Sequence, residues 1–597
     1  MQFPKLQEVS RYRDMTTVFG GYCHQISCQE GQFFDMKNMT SKYFPVLSPR
    51  ESRGIIKRLV NPQGILDKED LWWVDDKKLY RNGEEITLKG VILSDESPKT
   101  MAKMGAYIII MPDRIWCKAN DDDTVLECGY MEASHRVYIG TEIKFSTCHA
   151  NGTTINWHPP EYFKTNEPKD GDYQMSVNSE GKPSLKVYSG TTGIWMTVAS
   201  TYTQIMSEGI GKNFEKEDGI KITSNYNGDS LDNIFINTED NGYYSTNTYI
   251  VDKTDDCITI PGIYKGRVEP FEDISLLVER KVPDMEFITE CYNRLWGCSK
   301  DGHEIYCCKL GDVKNWNCFR GNSTDSWAAT VGSDGKFTGA ITYLGYPMFF
   351  KEDSILKIAV SSTGGHQTKE TKCRGVQLGS DGSLAILNEV LYYKSSTSVC
   401  AYNGSLPYSI SDNFGDVKYY NATAGANEDK YYISMCDSKG VYSLFAYDSK
   451  NGIWCKEDDT EVLSFCKHKD ELYFIDAKDK AMKSIGGTLI YDASEKENKI
   501  DWFVESGAIG YSSPDNKYIG RINLRITLEA GTNVDFYIQY DSCGEWEHKF
   551  NMSGNGTRTF SIPIIPKRCD HFRYRIKGQG GCKIHSISKS IEEGSDV

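Results

Sequence analysis

The sequence lacks a membrane-spanning segment and a secretion signal. No apolar run approaches the ~20 residues that a transmembrane helix needs, and the best are Tyr107–Met111 and Tyr346–Phe350. The first residues, Met1–Lys5, do not show the basic-then-apolar order of a signal peptide. We therefore expect a soluble product that is not secreted.

An excess of positive charge is also missing. The 597 residues hold 68 Lys and Arg against 83 Asp and Glu, which gives a net charge of -15. A protein whose main function is to bind the phosphate backbone of a nucleic acid needs a clustered basic surface. The composition therefore argues against a dedicated nucleic-acid-binding protein.

Cysteine is abundant, but the spacings that announce a metal site are absent. The 19 cysteines include no C-x-x-C pair, and the closest are Cys307-Cys308 and Cys23 with Cys28. A closed zinc site needs four convergent thiolate or imidazole ligands, usually at short paired spacings. An odd number of cysteines, in a sequence without a signal peptide pattern, is typical of reduced thiols that pack as small apolar residues. We expect no metal, no cofactor and no obligatory disulfide.

Short catalytic motifs are missing as well. Ser207–Lys212 contains Gly-x-Gly-Lys without the spacing of a phosphate-binding loop, and neither G-x-S-x-G nor H-E-x-x-H occurs. Ser299–Gly302 loosely resembles the Asp-box turn of sialidase-like propellers, which is a structural turn. A glycosidase needs two carboxylates that face each other across a sugar, and no local motif nominates such a pair. The sequence therefore predicts that the protein is not an enzyme.

What the sequence does contain is β-forming residues arranged in a repeat. Aromatic residues make up 12% of the chain, and 53 glycines punctuate the turns between short apolar strands. Equivalent positions at Leu295, Met348, Leu391, Tyr432 and Leu472 follow each other at steps of 53, 43, 41 and 40 residues. Paired strands at this period are typical of propeller blades, whereas a generic series of hairpins would be less regular.

These patterns predict an all-β protein built on a β-propeller of about six to eight blades. The propeller would occupy residues 51–125 and 286–490, interrupted by an inserted β-domain over 126–285 where the repeat disappears. Residues 491–597 show another series of strands and predict a C-terminal β-sandwich, plausibly of jelly-roll type. Residues 1–50 are expected to form an extended N-terminal arm or to close the propeller.

Several segments resemble a family of structural proteins from bacteriophages and prophages of anaerobic Gram-positive gut bacteria. The segments that carry the resemblance are Gly31–Met39, Tyr43–Arg50, Asn293–Cys298, Lys309–Asp312, Thr338–Pro347, Ile386–Tyr393, Ala401–Pro407 and Arg568–Phe572. The stretch from Leu295 to Asp312 is also similar, more remotely, to the propeller of tail nozzle proteins of short-tailed phages.

This resemblance implies a structural component of a virion tail or neck, made in the host bacterial cytoplasm. Such a protein would form a ring of copies, such as a hexamer, that docks to tail adaptor, portal and fibre proteins. Genomic DNA would pass through the ring without sequence-specific binding, and an acidic lumen would keep it from sticking. The alternatives are a receptor- or carbohydrate-binding tail tip protein and a propeller glycosidase.

Ring formation would require apolar contacts between copies, and the N-terminal arm is the best candidate to supply them. Its apolar side chains lie in a stretch too short to bury them all by itself. The alternative is that these side chains close the propeller of their own subunit. The candidate assembly interface consists of Phe33, Phe34, Met36, Met39, Tyr43, Phe44, Val46 and Leu47.

Overall fold

The computed structural model describes residues 11–593 except 120–123, 180, 226–236, 240–242, 267, 361–364, 488–494 and 511–515. The described residues form β-strands joined by turns, with no α-helix among them. Short 3-10 turns lie at Tyr162–Lys164, Asp381–Ser383 and Asp412–Phe414. None of these helical turns has the length and apolarity of a membrane span.

The described residues contain a propeller of seven antiparallel blades, whose first strands follow one another around the ring. The strands are Pro62–Lys68, Asp70–Asp75, Lys78–Arg81 and Glu84–Lys89 in blade 1; Thr100–Met104, Tyr107–Met111, Ile115–Lys118 and Val125–Tyr130 in blade 2; Met285–Glu290, Leu295–Ser299, Glu304–Cys307 and Trp327–Thr330 in blade 3; Gly339–Tyr343, Tyr346–Lys351, Ser354–Val360 and His366–Lys372 in blade 4; Ala385–Leu387, Val390–Lys394, Val399–Tyr402 and Tyr408–Ser409 in blade 5; Tyr419–Asn427, Lys430–Asp437, Tyr442–Asp448 and Ile453–Asp458 in blade 6; Val462–His468, Glu471–Asp476, Ala481–Ser484 and Gly54–Arg58 in blade 7.

Blade 7 closes the ring with strands from both ends of the propeller sequence. Its outer strand, Gly54–Arg58, precedes blade 1 in the chain and pairs with Ala481–Ser484. Glu495–Lys496 adds a further short strand along the same edge. Where blade 7 meets blade 1, His468 Nδ1 lies 2.8 Å from Asp67 Oδ1. The propeller is therefore held shut by backbone pairing between segments more than 400 residues apart.

The inserted β-domain leaves the propeller between blades 2 and 3. Its first and last strands pair with each other, with Ala133 opposite Arg280, so the insertion enters and leaves at one point. Two five-stranded sheets enclose a core rich in isoleucine, and a small four-stranded sheet lies beside them. The strands are Ala133–Val137, Ile143–Cys148, Trp157–His158, Tyr173–Val177, Pro183–Ser189, Ile194–Thr197, Tyr202–Met206, Gly219–Ser224, Asn237–Glu239, Tyr243–Tyr249, Asp252–Thr254, Cys257–Pro261, Pro270–Phe271 and Leu276–Arg280.

The C-terminal β-sandwich is organised by one long strand, Lys517–Tyr540. Buried and exposed side chains alternate along it until Glu529–Gly531, where three consecutive exposed residues and the positive φ of Gly531 (77°) mark a bend. The strand therefore contributes to two layers of the sandwich. The remaining strands are Arg11–Thr16, Gly21–Tyr22, Gln32–Lys37, Asp501–Ser506, Glu547–Ile562, Arg568–Cys569, Phe572–Gln579 and Cys582–Glu593.

The sandwich includes strands from the N-terminal end of the chain. Arg11–Thr16 pairs with Cys582–Glu593, and Gln32–Lys37 pairs with Asp501–Ser506. Two short strands, Met39–Thr40 and Ser48–Pro49, then pair with each other on the way to the propeller. The expectation of an extended arm over 1–50 is thus corrected for residues 11–50, because their backbone groups pair within the chain.

The predicted fold class is confirmed: the protein is an all-β propeller with an inserted β-domain and a C-terminal β-sandwich. One continuous apolar core joins the sandwich to blades 5 and 6, where the Tyr22 ring lies 5.3 Å from that of Phe445. The expected boundary at 490/491 lies outside the described residues.

Candidate functional site

A cleft of about 670 Å³ opens where blades 6 and 7 face the N-terminal segment 40–51. The turns between the first and second strands of both blades form its inner end, and Thr40–Phe44 forms part of its outer end. Carboxylates outnumber cations in the lining, where the cations are Lys42, Arg50, Lys430 and Lys450. The carboxylates are Glu51, Glu428, Asp429, Asp448, Glu457, Asp470 and Glu471.

Tyr432 is one of several buried polar residues in the lining of this cleft. It is only 6% exposed, and within the described residues its hydroxyl makes no hydrogen bond. Burial raises the pKa of Tyr432 well above its usual value, and the negative charges of Glu457 and Glu428 raise it further. The phenol therefore stays protonated at neutral pH and offers a hydrogen-bond donor to a bound molecule.

Two carboxylates at the inner end of the cleft are exposed and form no close ion pair among the described residues. Glu428 lies in the turn of blade 6 and Asp470 in the corresponding turn of blade 7, and both are exposed. Neither carboxylate forms an ion pair in the part of the chain that the structure describes. Asn427 joins the two turns, since its Nδ2 donates to the backbone oxygen of Asp470 at 3.2 Å. The two acidic groups are thus held on neighbouring turns and are accessible from the cleft.

Asp448, the last residue of the third strand of blade 6, is fixed as an anion. The backbone N–H of Asn451 donates to its Oδ1 at 3.0 Å, and the Asn451 side-chain amide donates to its Oδ2 at 2.9 Å. Burial would raise the pKa of Asp448, but hydrogen bonds from Ser41 and Asn451 outweigh burial and hold it below its usual range. The cleft therefore combines an oriented carboxylate with two accessible ones.

A buried ion-pair network includes two residues of the cleft lining, Arg50 and Glu457. The Arg53 guanidinium is 1% exposed and bonds to Glu457 at 2.5 Å and Asp458 at 2.7 Å. Arg50 bonds to the same Asp458 at 3.2 Å and to Glu497 at 2.7 Å. Burial would raise the pKa of Asp458, yet the charges of Arg53 and Arg50 lower it to about 2. The segment that lines the cleft is thereby tied to the last strand of blade 6.

Four of the eight candidate interface residues lie in the protein's own core. Phe33, Met36, Met39 and Leu47 are at most 4% exposed, so they have almost no surface to offer another copy. The other four residues stay a predicted interface, and they lie in different surroundings. Phe34 stacks on His24 with ring centroids 4.1 Å apart, Phe44 lines the cleft, Val46 is half-buried, and Tyr43 is 38% exposed beside Lys583.

The sequence interpretation missed the cleft residues. A signal was nevertheless present, because Glu428-Asp429 and Asp470-Glu471 place two acidic pairs 42 residues apart, at the same turn of successive blades. The Asp-box-like turn, by contrast, is structural. The backbone N–H of His303 donates to the Asp301 carboxylate at 3.0 Å, which orders the turn itself. Within the described ranges, no group of three or more His, Cys, Asp and Glu residues is arranged to hold a metal ion.

Comparison with known proteins found no matching family model and no matching curated protein. Among solved structures, an exo-β-1,3-galactanase from Phanerochaete chrysosporium matches 50% of this chain and 92% of its own, with 9% identity and a TM-score of 0.20. Hsv2 from Kluyvelomyces marxianus matches 64% and 97%, with 9% identity and a TM-score of 0.23. A structure described as a glycoside hydrolase matches 64% and 94%, with 10% identity and a TM-score of 0.17.

Glycoside hydrolases are among these structures and none of those named above is a phage-tail protein, so the expectation of a structural phage-tail component is withdrawn. The expectation that the protein is not an enzyme is withdrawn with it, and the likenesses themselves carry no conclusion about activity. At these TM-scores the neighbours identify no site residue, and the site described above depends on the geometry of this chain. The expected ring of copies stays a prediction.

Proposed function

We propose that the protein is a carbohydrate-active enzyme that binds a saccharide chain in the cleft and hydrolyses a glycosidic bond there. The observation that carries the proposal is a cleft of about 670 Å³ that places accessible and oriented carboxylates around a buried, unpartnered tyrosine. Sites of ~300–1,000 Å³ with a few convergent polar groups are typical of small-ligand binding.

The polar groups of the cleft suit a ligand rich in hydroxyl groups. Tyr432 offers a donor, Asn427 and Asn451 offer amide groups, and the carboxylates offer acceptors. Phe44 adds an apolar surface for the C–H face of a sugar ring. These groups can bind a saccharide without a cofactor.

Glycoside hydrolysis requires one carboxylic acid to protonate the leaving oxygen and a second carboxylate to act on the other side of the bond. Asp448 suits the second role, because its hydrogen bonds keep it ionised and oriented. Glu428 and Asp470 are the candidates for the first, since both side chains are exposed and line the cleft. The proton passes to the leaving oxygen, and water supplies the hydroxyl of the new reducing end and restores the acid.

The test measures release of reducing ends from a panel of neutral and acidic polysaccharides. We expect cleavage of at least one polymer, and a loss of about 100-fold or more in rate for E428Q, D470N or D448N according to which carboxylates react. Y432F should weaken binding, because the cleft loses its buried donor. E85Q, an exposed change on blade 1, is the matched control and should retain full activity.

The proposal fails if no polymer in the panel is cleaved. It also fails if all three carboxamide variants cleave at the wild-type rate. Unchanged melting temperatures in the variants would show that any loss of rate comes from chemistry rather than from unfolding.

A further inference from the structure

A second groove, of about 400 Å³, continues from the cleft to the place where blade 7 meets the sandwich. The two spaces share Arg50, Glu51 and Gly486 as lining residues, so one extended ligand can occupy both. The groove differs from the cleft in its charge.

Three lysines line the groove without a carboxylate partner. Lys496, Lys499 and Lys583 form no ion pair within the residues that the structure describes. Lys499 Nζ donates to the backbone oxygen of Gly531 at 3.3 Å, and Lys583 Nζ lies 3.8 Å from the centre of the Tyr43 ring. Both contacts leave the positive charge uncompensated.

The acidic residues of the groove do not balance these lysines. Glu51 is already paired with Lys42 at 2.6 Å. Glu529 is the other carboxylate in the lining, whereas the lining holds three lysines that have no carboxylate partner among the described residues. The groove is therefore locally positive on a protein whose net charge is -15. Because the protein as a whole repels polyanions, such a local excess is what a negatively charged ligand would need in order to bind.

We infer that the groove binds the anionic groups, carboxylate or sulfate, of an acidic polysaccharide whose chain continues into the carboxylate-lined cleft. The inference rests on the proposed function and specifies its substrate class. Tyr43, which is 38% exposed, adds an aromatic side chain to the groove, and its ring holds the Lys583 ammonium in place.

Continuity with the cleft favours a polysaccharide over a nucleic acid. A nucleic acid carries a phosphate at every residue, and the carboxylates of the cleft would repel those phosphates. A polysaccharide can present its charged sugar to the lysines and a neutral sugar, or the scissile bond, to the carboxylates. The opposite charges of the two spaces then fix the direction of the chain.

The experiment compares the binding of three hexasaccharides to the full-length protein by titration calorimetry: one of alternating uronate and neutral sugars, a galactan sulfated at every second sugar, and a neutral galactan. We expect the wild type to bind at least one acidic oligomer at least tenfold more tightly than the neutral one. This preference should shrink as salt rises from 50 to 300 mM, because ions screen exposed charges. If only the uronate oligomer, or only the sulfated oligomer, binds more tightly than the neutral one, that result identifies the anionic group that the lysines bind.

The triple variant K496Q/K499Q/K583Q should lose at least tenfold in affinity for the acidic oligomer and keep its affinity for the neutral one. The control K164Q/K418Q/K439Q carries the same charge change at exposed lysines that do not line the groove, and it should bind like the wild type. Both variants should melt like the wild type.

The inference is overturned if acidic and neutral oligomers bind equally, or if the triple variant binds the acidic oligomer like the wild type. Tighter binding of a single-stranded deoxyoligonucleotide, lost in the same variant, would also overturn it. If neutral polymers are cleaved without any acidic preference, the inference fails while the proposed function stands. If acidic oligomers bind through the lysines and no polymer is cleaved, the proposed hydrolysis fails while the groove stands.

Discussion

Replacing Arg53 with methionine should destabilise the junction between propeller and sandwich more than any change in an exposed ion pair. Arg53 is 1% exposed and bonds to Glu457, whose side chain is 4% exposed, and to Asp458, at 13%. Removing one partner of a buried ion pair leaves an uncompensated buried charge and typically costs about 3–5 kcal/mol. We expect R53M to lower the free energy of unfolding by this amount at pH 7.

The dependence of this loss on pH follows from Asp458. Burial opposes its ionisation, but Arg53 and Arg50 lower its pKa to about 2, from 3.8 for an unperturbed carboxyl. A lowering of this size corresponds to about 2 kcal/mol. Since the folded pKa is depressed, this stability is present above the unfolded pKa of about 4 and is lost as pH falls toward 2. In R53M the pKa of Asp458 moves back toward its usual value, so this part of the pH dependence should largely disappear.

The assay is denaturation by urea at pH 7, 5, 4 and 3, followed by tryptophan fluorescence. K78M provides the control, because Lys78 and Glu85 form an ion pair in which both side chains are 52% exposed, and such pairs contribute about 0–1 kcal/mol. The double variant R53M/E457Q should recover part of the loss, since it removes one of the stranded carboxylates. A loss below about 1 kcal/mol in R53M, or a wild-type pH dependence, would refute this reasoning.

Two further predictions follow from the strand pairing. Deleting residues 133–280 and joining the ends with a short Gly-Ser linker should leave a folded β core, because Ala133 lies directly opposite Arg280. Circular dichroism should then show a cooperative thermal transition. Loss of that transition would show that the insertion is needed for folding. Deleting residues 1–50 should markedly lower the melting temperature, because Phe33 and Met36 are fully buried; a variant that melts like the wild type would contradict this packing.

The propeller could be predicted from the sequence because each blade is built from local hairpins. Leu391 and Tyr432, for example, lie in second strands that pair with neighbours only a few residues away in sequence. Such local pairing leaves a periodic pattern of apolar strands and polar turns, and the repeat therefore indicates the architecture directly.

The role of the N-terminal segment could not be predicted in this way, because its partners are distant in sequence. Phe33 lies opposite Ser506, and Lys430 donates to Thr40 at 2.8 Å across 390 residues. No local pattern encodes such pairings. The apolar residues of the segment therefore looked unburied in the sequence, whereas four of them complete the core. The cleft was missed for the same reason, since its walls come from two blades and this segment.

The position of the cleft follows from how the chain is closed. Residues 11–37 complete the sandwich, and Gly54–Arg58 completes blade 7, so residues 38–53 must cross the gap between the two units. This crossing segment carries Arg50 and Arg53, whose ion pairs join it to blade 6, and it lines both the cleft and the groove. A ligand that contacts the segment and the blades together binds only the closed protein. By linkage, such a ligand at 100 times its Kd would add about 2.7 kcal/mol to the free energy of unfolding.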